Sequence, residues 1–437
     1  MTEFEIQGIP VSELARAHGT PLFVYDGAVL VDQYRGLRRR LHPKLEIFFS
    51  LKANPSLSIC ALLHAQGACA EVSSLAELVT ARRAGIPAAD IVFPGPGKSA
   101  EELAACMDAE VFAIICESLG ELALIDQLAR LRGKVARVAL RINPAFTVKG
   151  SRLTMGGKPR QFGIDEAELD ELDDLAERFP GVRLMGVHVY MGTRILSEDV
   201  VAENTGRILE LAERVSARLN FPLELVDIGG GLGVAYFDGE RDIDPAALAD
   251  RLNPIIADYA ARRPETRLVM ELGRYLTALA GTYVVRVRYV KTSLGQQFAI
   301  TDGGTHHHMA AVGIGSFAKR NFPMRLLDRM SEPATERWNV AGPLCTPNDT
   351  LAKDIALPPV RPGDLLGVLR SGAYGPTASP VHFLSHGAPA EVLVHRGRPC
   401  LIRDRDTVED LLRPQYLHEF SASTVPSQPT DPDNRRN

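Results

Sequence analysis

Between residues 46 and 274 the chain keeps returning to one unit, a short apolar run followed by a stretch with amphipathic helical periodicity. EIFFSLKA (46–53) precedes PSLSICALLHAQG, ACAEVSS precedes LAELVTARRAG, DIVFPGP precedes SAEELAACMDA, and VFAIICES precedes LGELALIDQLARLRG. KVARVALRINP follows, then RLMGVHVYMG with a helix predicted over 199–219, LELVDIGGG with one over 246–263, and RLVMELGR (267–274). Runs of strand length alternating with helices argue for repeated βα units around a parallel sheet. About eight such units in about 250 residues suit a closed (β/α)8 barrel, with an open doubly wound sheet as the alternative. A short strand at 22–25 (LFVY) and a helix over 28–41 precede the series.

From about residue 281 the grammar changes. TYVVRVRYVKTS, QQFAITDGG, RWNVAGPLC, DLLGVLRSGAYG, PAEVLVHRG and PCLIRD are β-rich and separated by turn residues, which predicts a mainly antiparallel β domain. The expected organisation is an N-terminal segment of that β domain (1–27), the barrel (28–280), the C-terminal β domain (281–418) and a tail (419–437). The tail is polar and Pro-rich and is expected to be disordered.

Composition narrows the function. The net charge of -5 gives no basic surface for nucleic acid, and no apolar run approaches the ~20 residues of a membrane helix. The first residues, MTEFEIQGIPVSELARAHG, carry early acids and no apolar segment, so no signal peptide is expected. The six cysteines form no CxxC pair, which points to reduced thiols in a cytoplasm.

Reactive side chains of a barrel lie where its strands end. Lys52 ends EIFFSLKAN. It is either a lysine reaching solvent or a Schiff-base lysine, whose pKa must fall before it attacks an aldehyde. The glycines of IGGGLG (228–233), Gly230 and Gly231 among them, follow a strand and can turn backbone N–H groups toward an anion. They do not form the GxGxxG of a dinucleotide site. Glu271 and Arg274 in MELGR are a structural pair, or a carboxylate holding a pyridine nitrogen protonated beside its neighbour. His188 in VHVYMG also ends a strand, where structural histidines are the commoner kind. His306, His307 and His308 suggest a metal at first sight. Neighbours on an extended chain point to opposite faces and no second ligand cluster accompanies them, so no metal is expected.

Together these motifs resemble the group III pyridoxal-phosphate (PLP) decarboxylases, which include diaminopimelate, ornithine and arginine decarboxylases. The resemblance runs from about residue 20 to about 415. FSLKAN (49–54) is similar to the family's PLP-lysine motif. EVSSLAEL (71–78), GPGK (95–98), RINP (141–144) and QFGI (161–164) follow in order. HVYMGT (188–193) resembles the segment whose histidine stacks on the cofactor ring. GGGLG (229–233) and ELGR (271–274) resemble the phosphate loop and the pyridine-nitrogen glutamate, CTPND (345–349) the cysteine motif and SGAYG (371–375) the tyrosine motif. The resemblance implies a barrel plus a β domain, with PLP on Lys52 and cofactor contacts from His188, Gly230, Gly231, Glu271, Gly273, Arg274 and Tyr374. It also implies a homodimer with shared sites, Cys345 and Asp349 reaching in from the second chain, and Cys345 as the acid that protonates the carbon after loss of CO₂.

Diaminopimelate decarboxylases usually read C-E-S at the cysteine motif, where the glutamate grips the far end of the substrate. Here Thr346 and Pro347 follow Cys345, and THHHMAAVG stands where an Arg-x-x-x-Tyr clamp is usual. DGGTHHH (302–308), NFPM (321–324), AGPLCTPND (341–349) and SPVHFLSH (379–386) are similar to the butirosin-type decarboxylases of aminoacyl groups carried on an acyl carrier protein. Decarboxylases of siderophore intermediates share CTP and GAYG. The expectation is a carried or otherwise derivatised amino acid in a biosynthetic pathway, with Arg194, His306 and His307 near the opening. Free diaminopimelate, ornithine or lysine is the alternative substrate. A racemase would lack the cysteine motif, and a non-catalytic PLP-binding protein would lack the β domain.

Overall fold

The computed structural model describes residues 2–147, 153–154, 157–170, 172–173, 175–313 and 320–418; the expected tail lies outside them. Eight parallel strands close on themselves: β1 Leu45–Ser50, β2 Cys69–Glu71, β3 Ile91–Phe93, β4 Ala113–Cys116, β5 Ala136–Asn143, β6 Val182–His188, β7 Leu225–Gly230 and β8 Arg267–Leu272. Pairing of β4 with β5 and of β8 with β1 completes the ring, so the sheet is a barrel and the open doubly wound alternative is excluded.

The strands obey a period of two with chemical content. Phe48, Val92, Ala113, Ile115, Ala139, Met185, Leu225 and Val269 form a core of their own. Their strand neighbours Ile47, Phe49, Ile91, Ile114, Leu140, Val226, Leu268 and Met270 belong to the core shared with the helices. The first set plugs the barrel. Two residues further along the same strands stand Ser50, Glu117, Arg141, Asp227 and Glu271, all buried. The plug therefore carries a polar layer toward the strand ends.

Serine and aspartate side chains start the outer helices. Ser74 accepts from Glu77 N, Ser118 from Glu121 N and Asp244 from Ala246 N. Ser99 and Glu102 form a reciprocal capping box. Each satisfies an otherwise orphaned N–H at a helix start. Between β5 and β6 the structure adds short helices at Glu166–Asp170 and Leu175–Arg178, which the sequence reading did not anticipate.

The second sheet runs Thr350–Leu357, Glu336–Ala341, Gln296–Thr301, Gly281–Ser293, Leu22–Asp26, Ala390–His395, Arg398–Arg403. Two of its pairings are parallel and the rest antiparallel. Leu22–Asp26 lies between Gly281–Ser293 and Ala390–His395, so a strand that precedes the barrel in sequence belongs to this sheet.

Backbone contacts stitch the sheet to the barrel beside Lys52. Tyr374 N donates to Ala53 O at 2.7 Å, and Asn54 Nδ2 to Gly372 O at 3.0 Å. A Cβ on Gly372 would lie 1.8 Å from Thr277 O, so no larger residue fits there. Gly372→Ala is expected to lower stability by about 3 kcal/mol or more through overpacking. Gly36, in the helix Gly27–Arg38 with open space at its Cβ, is the control. Gly36→Ala should raise stability by about 0.5–1 kcal/mol in the same denaturant titration.

Candidate active site

A cavity of about 500 Å³ opens at the strand ends, bordered by Lys52, Arg141, His188, Glu271, Arg274 and Tyr374. A small recess shares Lys52, Arg274 and Tyr374 with it and adds Gly231 and Gly273.

Lys52 is not on β1 itself but on a single 3-10 turn, Leu51–Ala53, that follows it. Its side chain is 39% accessible, facing the cavity, and its Nζ lies 3.0 Å from Oε2 of the fully buried Glu71. Burial alone would lower the Lys52 pKa. The Glu71 and Glu271 charges outweigh it and raise the pKa above the ordinary lysine value. The lowered pKa expected from sequence is thus reversed, because a carboxylate shares the site. Glu71 also stands where the proton leaving Lys52 can go.

His188 Nε2 is 3.3 Å from Glu271 Oε1, with both residues buried. Neither ring nitrogen has an aligned hydrogen bond, and neither does Glu271 Oε1. Burial would raise the Glu271 carboxyl, yet His188, Lys52 and Arg141 hold it down at about 2. Arg274 stacks 4.6 Å over the Tyr374 ring and donates to Tyr236 Oη at 3.1 Å. Among the described residues it has no carboxylate partner, and its buried Nε has no acceptor. A part-buried cation without a counter-ion is costly unless an anion joins it.

The glycines leave room that only backbone can fill. A Cβ on Gly230 would lie 1.6 Å from Glu271 O, and one on Gly273 2.6 Å from the Ala53 Cβ. Gly231 has φ +87° and borders the recess. These features fit pyridoxal phosphate. Lys52 faces the cavity for its aldehyde, Glu271 has an unmatched oxygen for its ring nitrogen, and Arg274 beside the glycine-lined recess suits its phosphate.

Five expected residues lie outside this chain's own cavity lining, and two of them, Cys345 and Asp349, are those expected to reach in from a second chain. Arg194 pairs with Glu240 at 2.9 Å and packs 5.0 Å from the Phe237 ring, outside the cavity lining. Asp349 is buried, and its two oxygens accept from Thr305 N at 2.7 Å and Leu344 N at 2.8 Å. It braces the loop that carries Cys345. Cys345 is exposed at the surface of the β domain and does not border this cavity. His306 and His307 are buried against each other, ring centroids 3.8 Å apart, and neither borders the cavity. The segment turns here instead of running extended, and His307 Nε2 contacts Gly387 O at 2.9 Å.

Sequence reasoning missed Glu71, Asp227 and the buried pair Arg141–Glu117, 2.8 Å apart. The signal was available. Leu225-x-Asp227, Ala139-x-Arg141, Ile115-x-Glu117 and Val269-x-Glu271 each place a charge two residues after a plug residue.

Two expectations follow. Arg274→Met should weaken pyridoxal phosphate roughly 10- to 150-fold, the loss of a charged hydrogen bond, and leave pyridoxal nearly unaffected. Equilibrium titration with both ligands checks this. The second concerns pH. Burial, then His386, push His306 down to about 4 from an ordinary 6.5. Above about 6.5 the group is neutral folded or unfolded and costs nothing. As pH falls from 6.5 toward 4 the unfolded chain binds the proton that the folded one refuses, so stability is lost in that window. His306→Phe should flatten the fall in Tm between pH 6.5 and 4 in paired melts.

Comparison with known proteins agrees with this geometry. The model of the pyridoxal-dependent decarboxylase, pyridoxal binding domain, matches residues 28–278. The L-glutamyl-[BtrI acyl-carrier protein] decarboxylase of Niallia circulans is 39% identical over 417 residues, 94% of this chain and 96% of the relative. The diaminopimelate decarboxylase of Aquifex aeolicus is 31% identical and covers 94% and 95% of the two chains. The crystal structure of the Helicobacter pylori diaminopimelate decarboxylase with L-lysine superposes with a TM-score of 0.83 at 28% identity, covering 92% of this chain and 98% of that one. The chain belongs to the pyridoxal-dependent decarboxylases and is a PLP-dependent carboxy-lyase.

Proposed function

We propose that the enzyme removes the α-carboxyl group of an amino acid carried on an acyl carrier protein, within a biosynthetic pathway in the cytoplasm. The observation that carries this reading is the 39% identity, spanning nearly all of both chains, with a decarboxylase named for a carrier-bound glutamyl substrate. The cysteine segment supports it. Thr346 and Pro347 follow Cys345 where a distal acidic grip would stand, and the histidine segment is buried in the β domain. A pocket without that grip gains binding energy for a substrate from contacts remote from the reacting carbon, such as a carrier protein. A free amino acid of the diaminopimelate type is the second reading, favoured by the 31% identity with the Aquifex aeolicus enzyme.

In this reading Lys52 holds the cofactor and Glu71 takes up the proton Lys52 must release. Arg274, Tyr374 and the backbone at Gly230, Gly231 and Gly273 hold the phosphate, and His188 covers the ring. Bound PLP supplies an electron sink for the carbanion left by CO₂, provided that its ring nitrogen stays protonated, which is the task of Glu271. Cys345 returns a proton to the carbon of the other subunit's substrate. Its exposure, on a loop braced by Asp349 and away from its own chain's cavity, supports a homodimer with shared sites.

Two measurements test the proposal. For one amino acid, kcat/KM should be at least about tenfold higher in the carrier-bound form than in the free form, as expected when a distal charged grip is absent. Free diaminopimelate turned over as well as every carried substrate would favour the second reading. Lys52→Ala and Cys345→Ala should each be nearly inactive. Their mixture should recover up to about a quarter of the activity, because mixed dimers hold one intact site in two.

A further inference from the structure

Asp227 is a second buried carboxylate, beside the cavity residues His188 and Glu271, and nothing in the reaction above uses it. It lies on β7, in register with His188 on β6 and one strand from Glu271 on β8. The side chain is fully buried. Its Oδ1 accepts from Gly229 N at 2.9 Å, while Oδ2 has no hydrogen-bond partner. A polar side-chain atom from each of His188, Asp227 and Glu271 lies within 4.8 Å of the others.

Few cations face this cluster. Lys52, after β1, is engaged by Glu71 of β2, and Arg141 of β5 by Glu117. Both help to hold Glu271 down, yet each is already shared with a second carboxylate, and it is His188 that lies directly beside the Asp227–Glu271 pair. Two like charges this close in a buried site do not both persist, and one of them binds a proton. The surroundings decide which. Glu271 has His188 at 3.3 Å. Asp227 faces the negative charges of Glu271 and Glu71, and only one backbone N–H offsets them. Burial first, then the Glu271 charge, push its carboxyl well up.

We infer that Asp227 is held as a neutral carboxylic acid whose O–H donates to Glu271, a positioning residue that keeps Glu271 the anionic member of the pair. The inference rests on the reading of Glu271 as the partner of the pyridine nitrogen. A neutral Asp227 fixes the Glu271 carboxylate through a hydrogen bond without adding a second negative charge beside it. The buried pair then presents one negative charge to the cavity instead of two.

Infrared spectroscopy of the holoenzyme at neutral pH tests the protonation directly. A protonated carboxylic C=O band is expected that shifts on [4-13C]aspartate labelling, does not shift on [5-13C]glutamate labelling, and is missing in Asp227→Asn. Absence of the band, or a band that moves with the glutamate label, overturns the inference. The positioning role has its own readout. Asp227→Ala should lose about tenfold or more in affinity for pyridoxal phosphate and make the absorption of the bound cofactor pH-sensitive near neutrality. Asp227→Asn, neutral and still a donor, should restore both. An Asn variant as impaired as the Ala variant overturns the role even where the band belongs to aspartate. Glu271→Gln separates the underlying reading. If it leaves the absorption of the bound cofactor unchanged, Glu271 is not the ring-nitrogen partner and the positioning role falls with it, whereas the aspartate band stands on its own.

Discussion

The structure depends on charge gathered at the end of an apolar plug. Lys52 and Glu71 are paired 3.0 Å apart, and His188 and Glu271 meet at 3.3 Å beside Asp227. Buried charges of this kind add little stability, since desolvation offsets their attraction. They persist because the barrel below them supplies it. Phe48, Ile115, Met185, Leu225 and Val269 fill the interior, and the polar layer sits on top of them. The strain of the arrangement is concentrated where function lies, as the unmatched atoms of His188, Glu271 and Arg274 show. A cofactor with an aldehyde, a basic ring nitrogen and a phosphate answers all three needs at once.

The second sheet completes the site instead of merely flanking it. Tyr374, with φ +56°, hydrogen-bonds through its backbone to the turn of Lys52 and covers Arg274 with its ring. Close backbone approaches at Gly273, Gly281 and Gly372 make that junction possible. The same sheet carries Cys345 outward on a loop whose shape Asp349 sets from within. The same domain thus helps to hold the cofactor site together and carries an exposed cysteine on its surface.

Much of this was legible in the residues. Alternation of short apolar runs with helices gave the barrel, since strand and helix periods are local properties of sequence. Lys52, His188, Glu271 and Arg274 stood out because they end strands, and the structure gathers them around one cavity with Tyr374. Arg194, His306 and His307 lie off this cavity, and Asp349 is enclosed by its own loop, for a different reason. Their surroundings come from distant segments: Asp349 bonds across to Thr305, Arg194 to Glu240, and His307 to Gly387. No spacing rule reports such contacts. Glu71 shows the same limit for electrostatics, because its placement across from Lys52 reverses the pKa shift that a lysine alone would undergo.

The central claim is that Lys52 is the residue that holds pyridoxal phosphate. The most direct measurement is borohydride reduction of the holoenzyme followed by peptide mass analysis. The account expects the reduced cofactor on the peptide containing Lys52, with the visible absorption of the bound cofactor lost in Lys52→Ala. Cofactor fixed on any other lysine, Lys98 included, would contradict it.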